Sequence, residues 1–318
     1  MNAPDLSLVV PVYNEEDNLL PLYRQVAGAM EGLGKTWELV LVDDGSRDGS
    51  LARMESLAAE DPRVVVVSLR RNFGQTAAMA AGFDHARAAV VVTLDADLQN
   101  DPADIGKLLP CIEQGYDVVS GWRRKRQDAF ASRTLPSRIA NSLISWITGV
   151  HLHDYGCTLK AYRREVLERL RLYGEMHRFL PALLAQQGAR IVEVEVGHHP
   201  RLHGTSKYGL NRTFKVVLDL ITVKFLGSYG TKPIYVFGTL GLLLCASGLA
   251  AGLRMIYLKL VRGISMILTP YPVLTAMLLI LGAQCLLMGL LAELIVRTYH
   301  ESQGKQIYVL RRVTRREG

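Results

Sequence analysis

Two runs without a charged residue, 233–253 and 263–292, limit what this chain of 318 residues can fold into more than any other feature. A helix needs about 20 residues to cover the roughly 30 Å hydrocarbon core of a bilayer. Both runs reach that length and predict transmembrane helices near 233–258 and 271–298. The hydrophobic share of the whole chain, 49%, is only slightly raised, because the first 230 residues have the composition of a soluble enzyme. The chain is expected to divide into a globular domain over 1–206, an amphipathic juxtamembrane helix over 207–230, a membrane pair over 231–299 and a basic tail over 300–318.

The first 120 residues alternate short β-rich runs with helical stretches, the pattern of a parallel sheet covered by helices. Strands are expected at 6–12, 38–42, 64–68, 90–94 and 117–120, with helices around 16–31, 48–60, 75–86 and 102–114. Ligands of such sheets gather at the carboxyl ends of the strands. Four loops converge there: Pro11-Val12-Tyr13-Asn14-Glu15, Asp43-Asp44-Gly45-Ser46, Arg70-Arg71-Asn72-Phe73-Gly74 and Asp95-Ala96-Asp97. Further on, Leu135, Ile139, Leu143, Ile147 and Val150 predict an amphipathic helix over 132–150. Leu210, Phe214, Val217, Ile221 and Phe225 predict a second over 207–228. Periodicity alone makes either a core-facing surface helix, but adjacency to a membrane span puts the second in the bilayer interface.

A net charge of +7 suits nucleic acid, anionic lipid or a phosphorylated substrate, and no nucleic-acid module accompanies it. Asp5 leads straight into a strand with no basic and apolar leader, so no secretory signal is expected and the globular domain is assigned to the cytoplasm. Two crossings would return the C-terminus to the same side, where Lys305, Arg311, Arg312, Arg315 and Arg316 fit the positive-inside bias. Arg254, Lys259 and Arg262, near the connecting loop, argue the other way. Neither the four cysteines nor the eight histidines reproduce a disulfide or zinc spacing.

Asp95-Ala96-Asp97 closes the apolar run Val90-Val91-Val92-Thr93-Leu94. Two carboxylates one residue apart, where a buried strand runs out, offer hard oxygens at a crevice mouth. Such a clamp suits a divalent cation that carries a phosphate-bearing substrate. The plainer alternative is that Asp95 caps the next turn and Asp97 is solvated.

Val10-Pro11-Val12-Tyr13-Asn14-Glu15, Val42-Asp43-Asp44-Gly45-Ser46, Leu94-Asp95-Ala96-Asp97-Leu98-Gln99 and the C-terminal helix pair, in this order, resemble the inverting family-two glycosyltransferases that load sugars onto polyprenyl phosphates. Dolichyl-phosphate mannose synthases and bacterial undecaprenyl-phosphate sugar transferases belong there. Arg71-Asn72-Phe73-Gly74-Gln75, Asp154-Tyr155-Gly156-Cys157 and Gly204-Thr205-Ser206-Lys207-Tyr208 are most similar to the undecaprenyl-phosphate 4-deoxy-4-formamido-L-arabinose transferases, with glucosyltransferases as near neighbours. The resemblance covers nearly the whole chain. It implies an α/β fold: a Rossmann-like GT-A domain with a mostly parallel sheet, interfacial amphipathic helices and two C-terminal transmembrane helices.

The same resemblance assigns roles. Mg²⁺ or Mn²⁺ on Asp95, Asp97 and Gln99 would offset the charge of a departing nucleotide diphosphate. Pro11, Tyr13, Glu15, Asp43, Asp44 and Asp95 would contact the donor nucleotide, Tyr13 lying against the base and a carboxylate accepting from the base or ribose. Which of Asp43 and Asp44 does so stays open. The competing reading is a strand-end turn followed by an Asp48 cap, with Gly45 present for its permissive backbone. Arg123, Arg201 and Lys207 would hold phosphates, while Arg124, Lys125, Arg126, Arg133 and Arg138 supply electrostatic background.

Asp154 would face the reacting sugar, as base or as orienting group. A phosphate monoester is already largely anionic at neutral pH, with a second pKa near about 6, so orientation is preferred. An Asx turn before Gly156 is the structural alternative. Cys157 is assigned to packing.

The expected activity is inverting transfer of a sugar from a nucleotide diphosphate, a UDP-sugar being favoured, to polyprenyl phosphate at the cytoplasmic face of the inner membrane, for cell-envelope glycan or lipid A modification. A homo-oligomer such as a tetramer is compatible with the resemblance. A processive polysaccharide synthase would carry more membrane helices and a Gln-x-x-Arg-Trp segment, which the sequence does not contain. A non-catalytic scaffold with a vestigial nucleotide site is the reading from another class, and the intact acidic triplet and Asp154 argue against it.

Overall fold

The computed structural model describes residues 3–124, then 141–200 apart from 142–143, 146–147, 169, 171 and 173–175, then 234–302 and 310–314. The chain forms two units, Met1–Val223 with Gln306–Gly318, and Lys224–Lys305.

In the first unit, strands β1 (Leu6–Val12), β2 (Trp37–Asp43), β3 (Val64–Leu69), β4 (Val90–Thr93) and β5 (Val118–Trp122) alternate with helices α1 (Glu16–Leu33), α2 (Ser50–Glu60), α3 (Gln75–His85) and α4 (Ile105–Glu113). After them come β6 (Lys160–Arg163), the single turn α5 (Arg164–Leu167), α6 (Leu180–Gln186), β7 (Ile191–Glu195) and, from the end of the chain, β8 (Leu310–Thr314). The sheet order is β7-β5-β6-β4-β1-β2-β3-β8. Among the described strands only β6 and β8 run against the rest.

The central strands are near-continuous Val and Leu runs because helices cover both faces. Side chains alternate between those faces. Leu8, Val10, Leu39 and Leu41 pack with Leu19, Leu22 and Val26 of α1 and Leu108 of α4, while Val9, Val40, Val42 and Val65 pack with Ala78 and Ala81 of α3 and Leu180 and Leu184 of α6. Each fully buried side chain of this size contributes about 1.5–3 kcal/mol.

Connectivity creates the crevice. The chain steps outward from β1 through β2 to β3, and β4 then pairs with the other side of β1, which is a topological switch point. Strand β1 continues to Val12 against Asp43, whereas its pairing with β4 ends at Val9 and Thr93. The strands part there and leave a notch at their carboxyl ends. Lys160, the first residue of β6, lies opposite Thr93 and Ser120, so the segment before it reaches the same end of the sheet.

The five strands and four helices expected in the first 120 residues are present, with small boundary shifts. Strands β6, β7 and β8 were not anticipated. The helix expected at 132–150 lies mostly outside the described residues, and the one at 207–228 lies wholly outside them.

The second unit contains α7 (Ile234–Arg262) and α8 (Tyr271–Ser302), each long and apolar enough to cross a membrane. Large apolar side chains such as Leu242, Leu253, Leu287 and Leu291 are exposed on them, unlike those of a core helix. The two helices come close together where glycine faces backbone. A Cβ on Gly241 would stand 2.8 Å from the Gly282 carbonyl oxygen, and one on Gly282 2.5 Å from Cys245 Sγ. Small residues at such crossings let helix backbones come together in lipid.

Candidate active site

The acidic loop after β4 is built under constraint. Leu98, buried between Asp97 and Gln99, adopts φ 60°, a left-handed conformation that costs a branched residue about 1–3 kcal/mol. Its buried side chain fixes the turn, and the Asp97 carboxylate closes it by accepting from the Gln99 amide at 3.2 Å. Asp97 is only 7% exposed, which rules out the solvated alternative. Asp95 does not cap the next turn by any bond resolved here. Its Oδ1 accepts from Gln75 Nε2 at 2.9 Å, and the Thr158 hydroxyl also bonds to it. Burial, then the neighbouring Asp97 charge, pushes the Asp95 carboxyl up to about 6.

These two carboxylates and the amide oxygen of Gln99 form a hard donor set that fits Mg²⁺ or Mn²⁺. Among the described residues no group of three or more His, Cys, Asp or Glu side chains is arranged to hold a metal alone.

Asp154 lies on the segment before β6 and is 2% exposed. Arg123, at the end of β5, grips it with Nε to Oδ2 at 2.7 Å and Nη2 to Oδ1 at 3.1 Å. Burial works against the guanidinium charge, but the bonds and charge of Asp154 outweigh it and raise the Arg123 pKa. The Asp154 carboxylate also accepts from the Gly156 amide at 3.1 Å, which is the Asx turn. Glu193 of β7 accepts from the amides of His153 and Asp154. Cys157 is fully buried and its thiol is pushed up to about 11, in keeping with packing.

The loops on the nucleotide side brace one another. Asn14, at φ 54°, accepts from the Arg47 amide, and Ser46 and Ser50 accept from the amides of Asn14 and Glu15. Both non-glycine residues with positive φ among the described residues thus border the notch. Asp43 accepts from the Ser46 amide and the Ser68 hydroxyl. Asp44 uses both oxygens internally, accepting from the Phe73 and Gly74 amides at 2.7 and 3.0 Å. Burial drives its carboxyl up to about 6, with the Asp43 charge adding to the shift. Gly45, at φ 69°, lies against the backbone of Arg71, where a Cβ would meet a carbonyl carbon at 2.5 Å. Asp48 accepts from the Ser50 amide, just ahead of α2. Pro11, Tyr13 and Glu15 are half-buried along this rim.

From β7 the chain returns across the acidic loop. The His199 amide donates to the Gln99 carbonyl at 2.9 Å and the Gly197 amide to Asp104. Arg201 and Lys207, which follow, lie outside the described residues.

Residues 7–171 match the sequence profile of glycosyl transferase family 2. The chain is 44% identical to the dodecaprenyl-phosphate galacturonate synthase of Rhizobium johnstonii, over 97% of this chain and 93% of that protein. The chain belongs to glycosyl transferase family 2. It is also 39% identical to the undecaprenyl-phosphate 4-deoxy-4-formamido-L-arabinose transferase of Aeromonas hydrophila, over 99% of this chain and 96% of that protein. Among solved structures, the glucosyl-3-phosphoglycerate synthase of Mycobacterium tuberculosis in complex with Mn²⁺, UDP and phosphoglyceric acid superposes with a TM-score of 0.55 at 19% identity, covering 70% of this chain and 78% of that one. That likeness shows the GT-A fold. The protein is a glycosyltransferase.

Four residues of this glycosyltransferase that sequence reasoning did not single out join the site: Gln75, Thr158, Lys160 and Glu193. Gln75 closes the motif Arg71-Asn72-Phe73-Gly74-Gln75, and Glu193 left the period-two alternation of Ile191-Val192-Glu193-Val194-Glu195.

Proposed function

We propose that this glycosyltransferase moves a sugar from a UDP-sugar onto a polyprenyl phosphate at the cytoplasmic membrane face, with inversion and with a divalent cation. The observation that carries the reading is a buried carboxylate pair at the switch point of a chain similar along nearly its whole length to polyprenyl-phosphate sugar transferases. The solved neighbour's Mn²⁺ and UDP support the choice of cation and base. The exposed apolar helices α7 and α8 support a lipid setting.

Asp95, Asp97 and Gln99 would hold Mg²⁺ or Mn²⁺, whose positive charge stabilises a departing diphosphate. A phosphate oxygen of the acceptor bonds to the anomeric carbon while the bond from that carbon to the diphosphate breaks, and the electron pair leaves with UDP. Asp43 and the rim residues Pro11, Tyr13 and Glu15 hold the nucleotide. Asp44 acts one step back, by holding the Phe73-Gly74 turn.

The acceptor oxygen is already anionic, so no base is required. Asp154, locked by Arg123, orients the sugar. Arg123 spends Nε and Nη2 on that lock, and a guanidinium has further N–H donors for a phosphate oxygen. Arg201 and Lys207 complete the phosphate contacts.

The test is to incubate the purified full-length protein with undecaprenyl phosphate, Mn²⁺ and, separately, UDP-galacturonic acid, UDP-4-deoxy-4-formamido-L-arabinose and UDP-glucose. Mass spectrometry of the lipid should show one glycosyl phosphate product. No glycolipid from any UDP-sugar would overturn the reading.

A further inference from the structure

Lys160 opens β6, between the end of β4 and the end of β5, and is only 3% exposed. Its Nζ donates to the Tyr155 carbonyl at 3.2 Å and to the Cys157 carbonyl. Those carbonyls belong to the turn that carries Asp154, which has no strand partner. Two amides of that turn are also tied, that of Asp154 to Glu193 and that of Gly156 to Asp154 itself. Lys160 thus supplies what a neighbouring strand would otherwise provide. Buried carbonyls stripped of their donor carry the full cost of desolvation.

The surroundings explain why a lysine stands here. Asp95 and Asp154 each act on its charge from the acidic side and Arg123 from the basic side. Conversely, Lys160 and Arg123 both favour the ionised form of Asp95, against burial and against Asp97. Burial lowers the Lys160 pKa, and the acidic neighbours oppose that shift.

We propose that Lys160 is a positioning residue for sugar transfer, whose buried amino group pins the Asp154 turn through the Tyr155 and Cys157 carbonyls and whose charge acts on Asp95 and Asp154. The charge would keep the acidic loop ordered before cation and donor arrive and moderate its affinity for the cation. This rests on the metal-dependent reading above.

Three substitutions separate the two parts. Lys160→Met removes donor and charge, Lys160→Gln keeps amide donors without charge, and Lys160→Arg keeps both. The full-length proteins in detergent are titrated with Mn²⁺ alone by calorimetry, after thermal unfolding has shown that each is folded. Loss of a nearby cation should tighten Mn²⁺ binding by roughly three- to tenfold in Lys160→Gln and Lys160→Met, with Lys160→Arg at the wild-type value. A residue with only a packing role would weaken Mn²⁺ binding or leave it unchanged.

Hydrogen exchange across 153–160 tests the turn independently of any metal. Exchange should rise at least about tenfold in Lys160→Met and be restored in Lys160→Arg. Wild-type Mn²⁺ affinity in Lys160→Gln, or wild-type exchange in Lys160→Met, overturns the proposal. If the wild type itself takes up no Mn²⁺, the metal reading fails instead, and the exchange experiment still decides the turn.

Discussion

Arg123 and Asp154 are each other's main partner, and that pairing sets what either can do. The carboxylate is 2% exposed, so removing Arg123 would take away its bidentate partner in the interior. Breaking a buried pair from one side costs about 3–5 kcal/mol, whereas replacing both partners with apolar groups is often close to neutral. Arg123→Ala should therefore destabilise the first unit by roughly 3 kcal/mol or more, measured by chemical denaturation of the full-length protein. Arg123→Met combined with Asp154→Leu should recover most of that stability and yet form no glycolipid. If Arg123→Ala unfolds like wild type, the pair does not hold the Asp154 turn. At the same scale, the two carboxylates of the acidic loop differ: Asp95 is oriented by Gln75 and Thr158, while Asp97 closes its own turn.

Among the elements, the helix pair depends on glycine at its crossing. The distances from a Cβ on Gly282 to Cys245 Sγ and to the Gly241 carbonyl oxygen, 2.5 and 2.8 Å, leave no room for a side chain. Gly282→Leu should push α7 and α8 apart and lower the stability of the pair by about 1–3 kcal/mol, read as an earlier thermal transition in detergent. An unchanged transition would show that the crossing is not close-packed. The same elements show what a sequence reveals. Strands β1 to β5 are legible because each is a short apolar run ending in a distinctive polar loop. β6 is hidden because Lys160-Ala161-Tyr162-Arg163 offers neither alternation nor an apolar run, and its partners β4 and β5 supply the burial. β8 is hidden because Leu310-Arg311-Arg312-Val313-Thr314 reads as a basic tail until β3 is there to pair with it. The acidic loop was legible as a local motif. Its support was not, since Gln75, Thr158 and Lys160 reach it through tertiary folding.

For the whole molecule, β8 carries a topological consequence. The chain leaves the first unit at Val223, rejoins it at Gln306 and adds β8 to the sheet whose other strands bear the acidic loop. If α7 and α8 each cross the bilayer once, their linker lies on the face opposite the catalytic domain. In a background lacking the four native cysteines, Ser265→Cys should react with a membrane-impermeant maleimide added to intact cells, and Glu317→Cys only after permeabilisation. The reverse pattern would place the catalytic domain outside. The central claim, that a divalent cation on the acidic loop carries the nucleotide diphosphate, is tested most directly by calorimetry of UDP binding to the full-length protein, with Mn²⁺ and with a chelator. UDP should bind at least about tenfold more tightly with Mn²⁺, and Asp97→Ala, shown to be folded by a cooperative thermal transition, should lose that gain. Equal UDP affinity with Mn²⁺ and with chelator, in the folded wild-type protein, would contradict the account.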